Sequence, residues 1–160
     1  MLALRGMRRL AAFPSVTWFQ RLAEARAVHG SMDDGPLDLT LVVRVIYPEG
    51  HDRLIAIEFG GGCRVSVTAP ADLADVGGPH PVVLEGAHHV WREMIEAIRA
   101  HRGADPAHTL DHLTHRDARL RVLALDAADG QRAVERFHHH QASLQAFFDE
   151  AAAIETAFAA

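Results

Sequence analysis

Three histidines come nearest to a catalytic pattern in this chain. His108, His112 and His115 lie four and three positions apart, so on one helix all three would face the same side. Neutral imidazoles placed in this way bind zinc, and a three-histidine set leaves one coordination position free for catalysis. The zincin pattern requires a glutamate directly after its first histidine, but Thr109 and Leu110 stand there. A metal-dependent enzyme is therefore an alternative, and a solvated polar helix face is favoured.

The other histidine runs do not predict a metal site. Consecutive residues on a helix point about 100° apart, so they cannot converge on one ion. This applies to the runs His138-His139-His140 and His88-His89. We predict that both runs belong to the polar surface.

No other reaction is indicated by the residues. The serines do not lie in a nucleophile elbow. Gly60-Gly61-Gly62 lacks the lysine of a phosphate loop and joins two predicted strands, so it is predicted to be a hairpin turn. We expect a protein that is not an enzyme and that uses no cofactor.

Composition favours a soluble cytoplasmic protein that does not bind nucleic acid. The 160-residue chain has a net charge of −5 and a pI near 6.1, whereas nucleic-acid binding selects for basic surfaces. The single cysteine, Cys63, excludes an intrachain disulfide, and its strand parity predicts a small buried hydrophobe. No apolar stretch approaches the roughly 18 residues of a membrane span, so no stable membrane insertion is expected.

One domain is expected from the length. Arginines interrupt residues 1–12, which excludes a secretory signal, and we predict a flexible N-terminal extension there. Residues 13–160 are predicted to form a single domain that ends in a long helix.

The elements of that domain follow from hydrophobic periodicity. Alternation with period two, broken by glycine turns, predicts two or three adjacent strands between Leu37 and Thr68. Further strands are predicted at 82–85 and 119–125. Helices are predicted after an N-cap at Ser15, over 87–101, from the Asp105-Pro106 start to about 116, and from 130 to about 158. This order predicts an α+β fold, an antiparallel sheet of about five strands with helices packed on one face.

Aromatic and methionine side chains are concentrated on the helices that would cover the sheet. Such residues usually form a packed core, but methionine also suits surfaces that repack around varied ligands. A packed core and a ligand tunnel are both compatible with this composition.

Three segments resemble the bacterial sterol carrier protein type 2-like family. They are residues 13–22 (FPSVTWFQRL), residues 57–62 (IEFGGG), and residues 83–86 (VLEG) leading to 91–95 (WREMI). The predicted element order also matches that family over most of residues 13–148. The resemblance implies a small α+β lipid carrier, with a hydrophobic tunnel between sheet and helices and without catalytic residues of its own.

We therefore expect a non-catalytic protein that binds or carries a lipid or another hydrophobic small molecule. The side chains expected to line the tunnel are Trp18, Phe19, Leu22, Val43, Val45, Ile57, Phe59, Trp91, Met94, Ile95 and Ile98. A second alternative is a dimerisation module, because the predicted helix from Gly130 to Phe158 is too long to bury entirely on one small sheet. A homodimer is compatible with lipid carriage.

Overall fold

A computed structural model of the protein describes residues 10–29, 37–60, 64–116 and 118–158. Cys63 and the Gly61-Gly62 part of the predicted turn lie outside these ranges, as do residues 1–9 of the predicted extension. The elements in chain order are β1 (Ala11–Phe13), α1 (Val16–His29), β2 (Leu39–Ile46), β3 (Asp52–Gly60), β4 (Arg64–Thr68), β5 (Pro81–Ala87), α2 (His88–His101), β6 (Leu120–Leu123), α3 (Gly130–Asp149) and β7 (Thr156–Phe158). Short helical turns occur at Leu73–Asp75, His112–Arg116, Ala127–Asp129 and Glu150–Ala153.

Five strands form the central sheet in the order β4-β3-β2-β5-β6, which confirms the predicted α+β architecture. β2 pairs with β3, β3 with β4, and β5 with β6, each in antiparallel orientation. β2 and β5 are parallel, because the chain leaves β4 at one edge and crosses back through residues 69–80 before it pairs with β2.

The helices pack on one face of the sheet, which we call the inner face. Strand register places Val43 opposite Ile55 on one side and opposite Leu84 on the other. These side chains are buried against apolar residues of α1, α2 and α3 in one continuous cluster. We call this cluster the inner layer. On the outer face, a small second cluster contains Val42 and Val83.

α1 and α2 form where periodicity predicts them. Ser15 caps α1, since its Oγ accepts a hydrogen bond of 3.1 Å from the Trp18 backbone N–H. In α2 the buried residues follow a helical stripe, and the chain leaves the helix at Arg102, whose φ is 55°. Both helices therefore turn one apolar side toward the sheet.

The C-terminal segment differs from the prediction. α3 ends at Asp149, and the chain continues through a 3₁₀ turn into strand β7. β7 pairs in parallel with β1, with Ala11 opposite Thr156 and Phe13 opposite Phe158. The prediction of a helix to about 158 is wrong there, because a strand partner 145 residues away leaves no signal in local periodicity. The same pairing places Ala11 and Ala12, which were expected to be part of a flexible extension, in a strand.

The segment after α2 also differs in detail. Residues 105–109 form turns, and helical structure begins only at Leu110, closing in a π-helical turn at His112–Arg116. The last strand of the sheet, β6, is shorter than predicted and covers Leu120–Leu123.

Candidate functional site

The structure brings the predicted tunnel residues together between the inner face and the helices. All eleven are buried, ten of them completely, and Phe59 is 5% exposed. All belong to the inner layer. Their role in binding a ligand stays a prediction.

Aromatic rings make direct contacts throughout this layer. Trp18 contacts both Phe13 and Phe19, whose ring centroids lie 4.9 and 4.8 Å away in edge-to-face geometry. From α3, Phe148 lies 6.2 Å from Phe19 and 5.9 Å from Trp91. Rings at these distances are in van der Waals contact. A ligand can therefore enter this part of the layer only if the rings move apart.

Three buried polar atoms in or beside the inner layer have no hydrogen-bond partner among the described residues. They are Tyr47 Oη, His88 Nε2 and Trp91 Nε1. Tyr47 is 3% exposed and Trp91 is completely buried. By contrast, the other tryptophan of the layer, Trp18, donates its indole N–H to the hydroxyl of Thr156 at 2.9 Å. The unpartnered atoms therefore mark one particular end of the layer.

This end of the layer is built where β2 stops and α2 begins. Tyr47 directly follows β2, and His88 is the first residue of α2. Their rings are stacked, with centroids 4.9 Å apart and planes inclined by 21°. The prediction that His88 belongs to the polar surface is wrong, because the parallel pairing of β2 with β5 carries its ring onto Tyr47.

Burial changes the proton affinity of both rings. Desolvation raises the pKa of the Tyr47 hydroxyl, with a smaller opposing effect of Arg53. Desolvation also lowers the pKa of His88, and the nearby Arg92 and His89 lower it further. Near neutral pH, both side chains are therefore uncharged.

Sequence reasoning did not single out Tyr47, His88 or the two phenylalanines that flank them. Phe13 and Phe158, paired in the β1–β7 ribbon, lie 6.5 and 6.3 Å from the His88 ring. The alternation of side chains along β2 already indicated that Tyr47 faces the same side as Val43 and Val45. The three-residue spacing from His88 to Trp91 was a second signal, since it places both on one side of a helix.

The three histidines of the metal alternative do not assemble into a ligand set. His108 lies before the helix begins, and its Nδ1 is 2.6 Å from Asp105 Oδ2. This hydrogen bond lowers the pKa of Asp105. His115 Nδ1 lies 3.1 Å from Asp111 Oδ1. In the described part of the chain, no three histidine, cysteine or acidic side chains are placed to hold a metal ion.

The premise of the dimerisation alternative is also wrong. α3 is shorter than predicted, and its apolar side is buried within the chain through Ala133, Phe137, Leu144, Phe147 and Phe148. Val134 is an exposed apolar side chain of this helix, at 37% exposure. The helix therefore presents no large apolar face of its own for a second copy.

Three surface cavities formed by described residues include none of the eleven predicted tunnel residues in their lining. One of them, of about 540 Å³, is lined by histidines and by charged side chains of both signs, among them Asp38, Arg132 and Arg136. Among the described helices, none is long and apolar enough to cross a membrane.

Comparison with known proteins supports the fold. No protein-family model and no curated protein matches this chain. A solution structure of a conserved hypothetical protein from Thermus thermophilus, described as a possible sterol carrier protein, superposes with a TM-score of 0.54. The match covers 89% of this chain and 90% of that chain at 14% identity. The two proteins share a fold over almost their entire lengths.

Proposed function

We propose that this protein binds a hydrophobic small molecule, such as a lipid, between the sheet and its helices, without catalysing a reaction. The observation that carries the proposal is the composition of the inner face, where the strands, apart from the exposed Arg53 near the start of β3, present only apolar side chains or glycine. They are Leu39, Leu41, Val43 and Val45 of β2, Ile55, Ile57 and Phe59 of β3, Val65 and Val67 of β4, Val82, Leu84 and Gly86 of β5, and Leu120 and Val122 of β6. A structural neighbour described as a possible sterol carrier protein supports the same class of ligand.

The physical driving force is the transfer of apolar surface from water into the inner layer. Each buried methylene group of a ligand contributes about 0.8 kcal/mol. Met94 faces this layer from α2, and its unbranched side chain can repack around ligands of different shape. Binding exchanges ring-to-ring contacts, such as Trp91 with Phe148, for contacts between the rings and the ligand.

The absence of catalysis is part of the proposal and rests on the chemistry of the layer. A nucleophile must be activated by a base within hydrogen-bond reach. Neither the hydroxyl of Tyr47 nor the Nε2 of His88 has a hydrogen-bond partner in residues 10–29, 37–60, 64–116 and 118–158, so neither forms an activated pair with a side chain there. These atoms lack the arrangement that acid–base or nucleophilic catalysis requires.

Direct binding measurements test the proposal. Protein purified without a tag is analysed by native mass spectrometry for co-purified lipid, and delipidated protein is titrated with a fluorescent polyene fatty acid. We expect saturable binding, with quenching of tryptophan emission, because Trp18 and Trp91 lie in the layer. The proposal is refuted if no lipid co-purifies with the protein and the probe also shows no saturable binding.

A matched pair of variants locates the binding. Met94→Trp adds bulk inside the layer and should weaken probe binding, whereas Val28→Ser changes an exposed side chain of α1 and should leave it unchanged. Circular dichroism establishes whether both variants fold. If Met94→Trp is folded and binds the probe as the unmodified protein does, the ligand does not lie in the inner layer.

A further inference from the structure

The three unpartnered polar atoms require a physical explanation. A buried donor or acceptor without a partner destabilises a folded protein, so native proteins satisfy nearly all of them. Here Tyr47 Oη, His88 Nε2 and Trp91 Nε1 are all left without one within the part of the chain that the structure describes. Two of the three belong to side chains that are more than nine-tenths buried, namely Tyr47 and Trp91.

These atoms belong to neighbouring side chains. Tyr47 and His88 are stacked on each other, and Trp91 follows His88 by one helical turn on α2. Gly86 allows the indole of Trp91 to approach β5, since a Cβ at this position would lie 3.3 Å from Nε1. The polar atoms thus surround the junction between β5 and α2, at one end of an otherwise apolar layer.

Solvent reaches this junction from the β2–β3 turn. The ring of His51 stacks on Tyr47 with centroids 4.5 Å apart and planes inclined by 10°, and its side chain is 54% exposed. The rings of His51, Tyr47 and His88 therefore form a continuous stack from the surface toward the layer. On the other side of His88 lie the apolar rings of Phe13 and Phe158.

The hydrogen-bonding capacity of the three side chains Tyr47, His88 and Trp91 determines which chemical group of a ligand could bind beside them. The indole N–H of Trp91 is a donor only, whereas a tyrosine hydroxyl and a neutral imidazole nitrogen each donate or accept. A small oxygen-bearing group complements this set. A carboxylate suits it less well, because none of the three groups supplies a full positive charge to a buried anion, and the two cations that act on Tyr47 and His88, Arg53 and Arg92, are exposed residues.

We propose that Tyr47, His88 and Trp91 form a head-group site for the uncharged hydroxyl or carbonyl oxygen of a hydrophobic ligand. This inference rests on the proposed function, since the apolar body of the same ligand lies along the inner layer. It narrows the ligand class to long-chain alcohols, sterols and similar neutral molecules.

The experiment compares dodecanol, dodecanoate and dodecane, which share one chain length and differ in the head group. Affinities are measured by displacement of a neutral fluorescent hydrocarbon probe. We expect dodecanol to bind most tightly. Tyr47→Phe removes only an unpartnered oxygen, so it retains the fold, and it should weaken dodecanol binding about three- to tenfold while leaving dodecane unchanged. The control Met94→Leu should change the affinities for the alcohol and the alkane by the same factor.

A second measurement uses the unmodified protein and contains its own control. In proton–nitrogen correlation spectra, the indole signal of Trp91 should lie further downfield with bound dodecanol than with bound dodecane. The indole signal of Trp18 should have nearly the same position with either ligand, because its N–H is already bonded to Thr156.

The outcomes separate the two proposals. If neither dodecane nor dodecanol binds, the proposed function itself fails. If both bind but Tyr47→Phe does not change the ratio of their affinities and the Trp91 signal has the same position with either ligand, hydrophobic binding stands and the head-group site is refuted. A preference for dodecanoate over dodecanol overturns the assignment of an uncharged head group.

Discussion

The indole Nε1 of Trp18 donates a hydrogen bond of 2.9 Å to the hydroxyl oxygen of Thr156, which lies 138 positions later in the chain. Both side chains are buried. The bond connects α1 with β7 and therefore holds the C-terminal strand, paired with β1, against the inner layer. The Thr156 hydroxyl also donates a hydrogen bond of 3.2 Å to the Ile154 carbonyl oxygen, so it acts both as an acceptor and as a donor.

Removing this hydroxyl should destabilise the protein. Thr156→Val leaves the buried N–H of Trp18 without a partner, and we expect the free energy of unfolding to fall by about 1–3 kcal/mol. Thr156→Ser retains the acceptor, so its free energy of unfolding should fall by less. Thr68→Val, at an exposed strand position, should lie within about 0.5 kcal/mol of the unmodified protein. Urea denaturation measures all three, and equal losses for Thr156→Val and Thr156→Ser would contradict the role of the bond.

A methyl group at Gly86, on the inner face, is predicted to be poorly tolerated. An added Cβ would overlap Cδ2 of Leu120 and approach Trp91 Nε1 to 3.3 Å. We expect Gly86→Ala to lower the free energy of unfolding by about 1–3 kcal/mol. Gly77→Ala is the control, because no atom lies within 4 Å of its added Cβ.

A double mutant tests whether the overlap with Leu120 is the cause. If the overlap is the cause, the double mutant Gly86→Ala/Leu120→Ala should lose less free energy of unfolding than the sum of the losses in the two single mutants, since the shorter side chain makes room for the methyl group. Additive losses would show that the effect of Gly86→Ala arises elsewhere. Thermal and urea denaturation of the four proteins provide the comparison.

Arg44 bridges two carboxylates on the outer face. Its Nε lies 2.6 Å from Asp52 Oδ2, and its Nη1 lies 3.0 Å from Glu85 Oε2. Glu85 is 8% exposed, so its carboxylate depends on its ion pairs more than a surface carboxylate does, and its second partner, Arg121, lies further away, with Nη1 3.6 Å from Oε1. We expect Arg44→Gln to lower the free energy of unfolding by about 1–3 kcal/mol.

The matched control for that variant is Arg99→Gln, which changes an exposed arginine of α2 and should alter stability by less than about 0.5 kcal/mol. Both variants remove one positive charge, so a difference between them cannot come from net charge. If the two losses are equal, the bridge between Asp52 and Glu85 does not stabilise the sheet.

Protonation of His88 should oppose folding. Its pKa in the folded protein is lowered from the ordinary value of 6.5 by desolvation, Arg92 and His89. As the pH falls through 6.5, the unfolded chain therefore binds a proton that the folded chain resists, and stability decreases down to the lowered pKa. Phe13, Phe158 and Tyr47, which pack against the ring, offer no negative charge to offset this.

Melting temperatures of the unmodified protein and of His88→Gln should reveal this effect between about pH 7.5 and about pH 5.5. We expect the unmodified protein to lose stability relative to His88→Gln as the pH falls. His140, whose pKa burial also lowers, is present in both proteins and cancels in the difference. The control is His89→Gln, which changes an exposed histidine. The prediction is contradicted if the difference in melting temperature between His89→Gln and the unmodified protein depends on pH as strongly as the difference for His88→Gln.

Local patterns in the sequence were sufficient to predict much of the fold. Alternation predicts the strands that became β2, β3 and β4, and it also predicts which of their side chains face the helices. The N-cap at Ser15 and the apolar stripe of α2 are likewise visible without a structure. These features are local because strand and helix periods record which side of an element is buried.

Long-range pairing could not be predicted in the same way. The apolar residues at 151–158 continue a helical pattern, but pairing with Ala11–Phe13 makes the last of them a strand. The parallel pairing of β2 with β5 is equally invisible, because periodicity records burial and does not identify the neighbouring strand. Helical spacing likewise could not show that the chain around His108 forms a turn.

By itself, then, the sequence determined an apolar sheet face, the helices that cover it and the class of fold. Only the tertiary structure decided that the aromatic rings touch across the layer, and that Tyr47 stacks on His88 one helical turn from Trp91, with the polar atoms of all three unpartnered among the described residues. The physical reason is that burial is encoded residue by residue. Contacts between residues 40 or more positions apart depend on how every intervening element packs.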